Sequence, residues 1–214
     1  MQELRAAFAH LSLRRAGARL KSLSFAPKLF AGDGLIGAVA ASVIGHNAKP
    51  VRAVYFDKSD QANWSLDWHQ DRVISVRERI EAPGFGPWTT KAGILHVVPP
   101  FNELARMVTL RVHLDDADID NAPLLIAPGS HLLGRLEESR LKSVVEQCGV
   151  RACLAKRGDV WLYATPIIHA SRASLTPSRR RVLQIDYAAF ELPFGLRWHS
   201  LIEFPQERVA DETD

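Results

Sequence analysis

"GDVWLYATPIIHASRASLTPSRRRVLQIDYA", residues Gly158 to Ala188, is the stretch on which the fold turns. Gly158 and Asp159 make a turn, and a run of β-branched and aromatic residues follows as a strand. His169 emerges near the end of that strand. Ser171 shares its face, because side chains two apart on an extended chain point the same way. The loop "RASLTP" then reverses the chain into a second strand that opens with Arg179, Arg180 and Arg181. If the two strands pair antiparallel, Arg180 and Ser171 converge just beyond His169 as an anion clamp.

The same pattern extends towards the N-terminus. Short β-rich runs, "VRAVYF", "RVISV", "GILHVV", "MVTLRVHL", "APLLIA" and "DVWLYA", are separated by punctuation such as "APGFGP", "VPPFN", "DADIDNAP", "PGSH" and "KRGD". Before residue 51 the spacing is helical: Leu4, Phe8 and Leu11, a break at Pro27, and a restart after a capping Asp33 with Leu35, Ala38 and Val39. A further amphipathic helix is expected over Leu136 to Val145, ahead of Gly149. Many short strands behind helices predict a mainly β (α+β) sandwich or barrel with helical cover.

A second segment carries ionisable groups in a strand-like setting. In "DWHQDRV", Asp67 to Val73, His69 and Asp71 project to one face and Trp68, Gln70 and Arg72 to the other. Taken alone, the pair suits a metal, an ion pair, or an acid and base. With His169 as a third ligand, two imidazoles and a carboxylate form the facial set favoured by non-haem Fe(II) oxygenases, which leaves coordination positions open. A guanidinium behind such a site binds a carboxylate bidentately. A small acid that chelates iron at one end and meets Arg180 at the other is therefore expected, and 2-oxoglutarate fits that description. On "MVTLRVHLDD", Thr109, Arg111 and His113 share one face, which suggests pocket lining.

Composition sets the outer bounds. The chain has 214 residues, 47% of them hydrophobic, enough for one substantial core. Its stretch "GLIGAVAASVIGHNA" is too short and glycine-interrupted for a membrane span. The formal charge of +3 arises from clusters such as Arg14, Arg15, Arg19 and Lys21, and Arg179 to Arg181. No zinc-finger spacing, aromatic RNA platform or recognition helix accompanies them, so nucleic acid is not expected as a partner. Two cysteines, Cys148 and Cys153, read as buried thiols in a reducing, cytoplasmic setting. The tail "PQERVADETD" reads as polar and frayed.

Three motifs together resemble the phytanoyl-CoA dioxygenase family of Fe(II)- and 2-oxoglutarate-dependent oxygenases. They are "WHQD" at Trp68 to Asp71, "DNAPLLIAPGSHLLGRL" at Asp120 to Leu136, and "HAS" at His169 followed by Arg180 eleven residues later. The resemblance covers residues from about 50 to 190. It implies a double-stranded β-helix, a cupin-like jelly-roll barrel with N-terminal helices packed on it. The whole chain, 1–214, is then one oxygenase domain: a helical part at 1–50, the jelly-roll core at 51–203 and a tail at 204–214. By the same resemblance His69, Asp71 and His169 ligate Fe(II), and Arg180 and Ser171 hold the distal carboxylate of 2-oxoglutarate. Family spacing selects Arg180 from the three arginines and sends Arg179 and Arg181 to the opposite face. Arg111 matches a position that approaches 2-oxoglutarate, although a salt bridge with Asp115 or Asp116 suits it equally.

The implied reaction consumes O₂ and 2-oxoglutarate, releases succinate and CO₂, and hydroxylates a small molecule. A carboxylate at position 71 favours hydroxylation over halogenation, because halogenases of this type need that ligand position for chloride. His131 in "PGSH" is expected to be structural, and His96 to fill the core or line the mouth. Asn63 and Trp64 either contact ligand or anchor a loop. Phe85, Trp88 and Lys91 lie in loops expected to shape the substrate pocket. A small metabolite fits better than a CoA thioester, for no basic nucleotide site is visible. Two alternatives stay open: a cupin-like metalloenzyme that does not use 2-oxoglutarate, and a non-catalytic jelly-roll binding protein.

Overall fold

The computed structural model describes residues 2–8, 17–175 and 178–202. His10, Leu11, Arg14, Arg15, the end of the "RASLTP" loop at Thr176 and Pro177, and the polar tail lie outside them. In chain order the elements are α1 (Gln2–Ala7), β1 (Ala18–Leu20), α2 (Pro27–Phe30), α3 (Gly37–Ile44), β2 (Lys49–Lys58), β3 (Leu66–His69), β4 (Ile74–Val76), β5 (Trp88–Lys91) and β6 (Ile94–Val97). They continue with α4 (Phe101–Ala105), β7 (Val108–His113), β8 (Leu124–Ile126), a 3₁₀ turn (Ser130–Leu133), α5 (Glu138–Cys148), β9 (Arg151–Cys153), β10 (Val160–Ala164), β11 (His169–Ser171) and β12 (Arg180–Ala188).

All pairing between these strands is antiparallel. One sheet runs β1-β2-β12-β7-β10, a second β3-β11-β8-β9, and a small third sheet β4-β6-β5. The period of two sorts the residues of the first sheet. Ala53 and Tyr55 of β2, Leu110 and Val112 of β7, and Leu183, Ile185 and Tyr187 of β12 pack with Leu4, Phe8, Phe30, Ile36 and Ala40 from the N-terminal segments. The alternate residues face the other way: Arg52, Val54 and Phe56, Arg111, and Gln184 line a cavity together with His69, His169 and Ser171 of the second sheet. A helix-covered outer face and a polar inner face are what a jelly roll with N-terminal cover requires.

Several expectations change here. The helical N-terminal half contains a strand: β1 adds to the edge of β2, Arg19 opposite Val54, and satisfies an edge that would otherwise be unpaired. Asp33 does not cap the next helix. The residue before α3 is Ile36, which makes no side-chain cap. Close packing governs this turn instead, for a Cβ at Gly37 would lie 1.8 Å from the Ala31 carbonyl oxygen. "DWHQDRV" is not one strand, since β3 ends at His69 and β4 begins at Ile74. The segment "ERIEAPGFGPWTTKAG" is not all loop either. β5 pairs with β6 as a hairpin, closed by Ala92 and Gly93 at φ 55° and 73°, the left-handed pair that a tight two-residue turn uses. α5 falls where helical spacing places it.

The strand carrying His169 differs most. β10 ends at Ala164, the chain turns through Thr165 and Pro166, and β11 joins the opposite sheet. β11 pairs with β3 and β8, and β12 with β2 and β7, so the two strands flanking the "RASLTP" loop do not pair with each other. Arg180 therefore stands on the sheet opposite His169 rather than along one hairpin with it, and lies outside the residues that line the cavity at the cluster. Its register partner Lys58, which donates to Ser171, links it to β11.

Candidate metal centre and anion pocket

β11 lies beside β3 with His169 directly opposite His69, and the two rings stand 4.2 Å apart between centroids. Asp71 follows two residues after His69. The ligand atoms of His69, Asp71 and His169 all lie within 4.8 Å of one another, and these residues form the one such cluster among the described residues. Backbone carbonyls aim both rings. His69 Nδ1 sits 2.8 Å from the Asp67 oxygen and His169 Nδ1 2.9 Å from the Ile167 oxygen. A carbonyl only accepts, so Nδ1 carries the proton and Nε2 keeps its lone pair for a ligand. Burial, with His69 nearby, lowers the His169 pKa to about 4, which keeps the ring neutral near pH 7.

The opposite face of the same segment holds it in place. Trp68 packs against the cluster that includes Leu141 and Val144 of α5. The Gln70 amide donates to the carbonyls of Gly134 and Pro166, each at 3.0 Å, and accepts from Leu136 N–H. Arg72 donates to the Leu136 carbonyl at 2.7 Å. These contacts replace the strand ladder after His69. They also explain the "PGSHLLGRL" motif, because Ser130 Oγ accepts from Ile168 N–H at 2.9 Å, immediately before His169. His131 stays outside the cluster.

Asp71 is clamped from the first sheet. Arg52 approaches its two oxygens at 3.4 and 3.5 Å and donates to Asp186 at 2.7 Å. Gln184 Nε2 donates to Asp71 at 3.2 Å, and its Oε1 accepts from Arg111 at 2.9 Å. Burial alone would raise the Asp71 pKa, but Arg52, His169 and His69 outweigh it and hold the carboxyl below the usual range. Sequence reasoning missed Arg52 and Gln184. Gln184 keeps the two-residue period with the recognised Arg180, whereas no recognised residue on β2 points to Arg52.

Arg180 is 1% exposed, and its Nε and Nη1 have no hydrogen-bond partner among the described residues. Burial, followed by repulsion from Arg111, lowers its pKa to about 9. Its register partner Lys58 is equally buried and donates to Ser171 Oγ at 2.9 Å. Burial, then Arg180 and Arg111, lowers the Lys58 pKa to about 7. Lys58 thus stands between the two members of the expected clamp, and it too escaped sequence reasoning. Arg111 turns to Gln184 and the Phe56 ring, while Asp115 holds Arg181 and Asp116 holds Lys156. Arg179 pairs with Asp57, so the outer arginines do leave Arg180 alone on the inner face. Among the described residues no carboxylate pairs with Lys58, Arg111 or Arg180. Two buried guanidinium groups with unpartnered donors, Arg111 and Arg180, beside a Lys58 that already donates to Ser171 and the Arg172 carbonyl, are chemically suited to an anion.

The remaining candidates separate cleanly. Trp64 lines the cavity and lies beneath Lys58, 4.4 Å from its Nζ, whereas Asn63 clamps Ser174 through both amide atoms. Lys91 lines a second cavity beside the cluster, Phe85 packs in the core, and Trp88 lies under Arg79. His96 is buried, bound to the Ile94 carbonyl. Cys148 and Cys153 are both free thiols, but only Cys153 is buried as expected, Cys148 being half-buried. A larger cavity of about 610 Å³ near Lys49 and Trp198 contains none of the three clustered residues.

Residues 3–182 match the sequence model of phytanoyl-CoA dioxygenase, PhyH. The chain belongs to the PhyH family. That family uses Fe(II), 2-oxoglutarate and O₂. No curated protein matches the chain. Among solved structures, EctD from S. alaskensis with 2-oxoglutarate and 5-hydroxyectoine matches at TM-score 0.58 and 18% identity, over 81% of this chain and 56% of that one. EctD from the same source with bound Fe matches at 0.55 and 17%, over 95% and 70%. HygX from Streptomyces hygroscopicus with nickel, 2-oxoglutarate and hygromycin B matches at 0.56 and 18%, over 87% and 77%. These likenesses show the jelly-roll fold. The chain spans 29% to 56% of three other solved structures that it matches. No helix among the described residues is long and apolar enough to cross a membrane.

Proposed function

We propose that this PhyH-family protein is a non-haem Fe(II)- and 2-oxoglutarate-dependent dioxygenase that hydroxylates a small molecule. The observation that carries the reading is that the described residues hold one metal-competent cluster, His69, Asp71 and His169, and a buried Arg180 with no carboxylate partner among them. The fit to both groups is chemical. Two imidazoles and an ionised carboxylate suit Fe(II), and the unpartnered guanidinium donors of Arg180 suit an acid. When bound, the iron with its co-substrate supplies the oxidising chemistry.

The chain's own residues then do the placing. Asp67 and Ile167 carbonyls keep the imidazoles oriented, and Arg52 and Gln184 keep Asp71 ionised and fixed. Arg180, with Lys58 and Ser171, receives the distal carboxylate, and Arg111 braces Gln184 from the same wall. Asp71 at the carboxylate position supports hydroxylation over halogenation. The same reading takes residues 1–214 as one catalytic domain in a cytoplasmic setting.

The test is an anaerobic Fe(II) titration with 2-oxoglutarate, followed by the weak visible charge-transfer band of the chelate. Wild type should form the band and Arg180→Met should need far more 2-oxoglutarate. Iron bound with no band would transfer the protein to metalloenzymes that do not use this acid. Failure to retain iron, with His69→Ala indistinguishable from wild type, would leave a binding protein.

A further inference from the structure

We propose that Arg19 and Arg52 form the receptor for an anionic group, a carboxylate or a phosphate, carried by the molecule that is oxidised. This rests on the oxygenase reading above and specifies the substrate class of that site. Arg19 lies opposite Val54 across the β1–β2 pair, and Arg52 shares the face of Val54, which makes the two arginines diagonal neighbours. Two cavities of about 330 and 350 Å³ flank the metal-competent cluster. Four residues line both: Arg19, Arg52, His69 and Asp71. They are the partition between the co-substrate side and the second chamber.

The arginines are incompletely used. Arg52, with its side chain only 10% exposed, spends its terminal nitrogens on Asp71 and Asp186 and leaves Nε buried without a partner among the described residues. Arg19 Nε is likewise buried without a partner among the described residues. Burial and then the neighbouring Arg52 lower the Arg19 pKa, as expected for like charges held together. A role for Arg52 in fixing Asp71 accounts for one of these residues and leaves Arg19 unexplained. Arg72 and Lys91 line the second chamber as well, against Asp71 and Glu138, and Asp71 is already engaged. The chamber that remains is cationic.

Its position limits the substrate further. Arg52 contacts Asp71 at 3.4 Å, so an anion held by this pair lies beside the metal ligands. The oxidised carbon must then be within a few bonds of the charge. That describes a short carboxylic acid or a small phosphate monoester, in contrast to a long molecule whose charge lies far from the reacting carbon. The basic wall that sequence reading did not find is therefore present, but at the reacting centre.

The experiment is calorimetric titration of the Fe(II)-loaded protein under anaerobic conditions, with and without 2-oxoglutarate. The probes are short carboxylic acids, their methyl esters and small phosphate monoesters, on wild type, Arg19→Gln and Arg19→Lys. At least one anion should bind ~10-fold or more tightly than its neutral counterpart. Arg19→Gln should weaken that anion by ~10–100-fold, Arg19→Lys should recover part of the loss, and the 2-oxoglutarate chelate should form equally in all three. The stronger series identifies carboxylate or phosphate. Equal binding of acid and ester, indifference to Arg19→Gln, or no anion binding to protein that forms the chelate would each overturn the inference. A missing chelate in wild type counts against the oxygenase reading alone, because anion binding is read separately on the iron-loaded protein.

Discussion

His113 is fully buried on β7, with both ring nitrogens unpartnered among the described residues. Burial, then Arg111 and Arg180, lowers its pKa to about 3 from 6.5. In that window the unfolded chain binds a proton that the folded chain refuses, so folded stability is complete above pH 6.5 and falls as pH drops towards 3. Urea unfolding at pH 7, 5.5 and 4.5 should show wild type losing more stability on acidification than His113→Leu, and parallel curves would remove His113 from the account. Lys58 makes a second prediction at this scale. Lys58→Met should raise the Kd for 2-oxoglutarate by ~10-fold and leave the Fe(II) affinity nearly unchanged, measured by titration of the iron chelate. A change confined to iron affinity would place Lys58 elsewhere in the mechanism. His69, His169, Arg111 and Arg180 were legible as candidates because histidine and arginine are rare on inward faces of strands, and Asp71 and Ser171 because each stands two residues from one of those histidines. Arg52, Lys58 and Gln184 were not, since alternation reveals which residues share a face but not which face meets the opposite sheet.

At the scale of elements, the placement of His169 depends on its supports more than on its strand. β11 has three residues, and the hydrogen bond from Ile168 N–H to Ser130 Oγ fixes its entry from outside the sheet. Ser130→Ala should cost about 1 kcal/mol in stability by urea unfolding. It should also weaken Fe(II) binding by several-fold, while iron affinity equal to wild type would show that β11 holds itself. The outer face of β7 carries a different burden. Leu110 is 0% exposed beneath the N-terminal helices, and Leu110→Ala should destabilise by about 2–5 kcal/mol without altering Fe(II) affinity in the folded protein. Seven strands were visible in the sequence as β-rich runs. β1, β5 and β9 were not, because each has only three or four residues and is stabilised by the neighbour it pairs with.

For the whole molecule, the site is a set of buried like charges enclosed by two sheets, so its occupants should act as part of the fold. Fe(II) and 2-oxoglutarate, added together at about 100 times their dissociation constants, should each stabilise by roughly 2.7 kcal/mol. With a chain of this size the pair should raise the melting temperature by about 10–20 °C in an anaerobic scan, and chelation of the iron should reverse it. A melting temperature indifferent to both would mean that the interior is not their site. By itself the sequence determined the strand periods, the α5 helix, the family and the identity of the candidate ligands, because these depend on local spacing and side-chain chemistry. Only the tertiary structure decided that β11 and β12 belong to opposite sheets, that Lys58 stands between Ser171 and Arg180, and that Arg52 and Arg19 face the cluster. Those are relations between segments more than a hundred residues apart in several cases, and they follow from which faces must be buried together, a condition no local pattern contains.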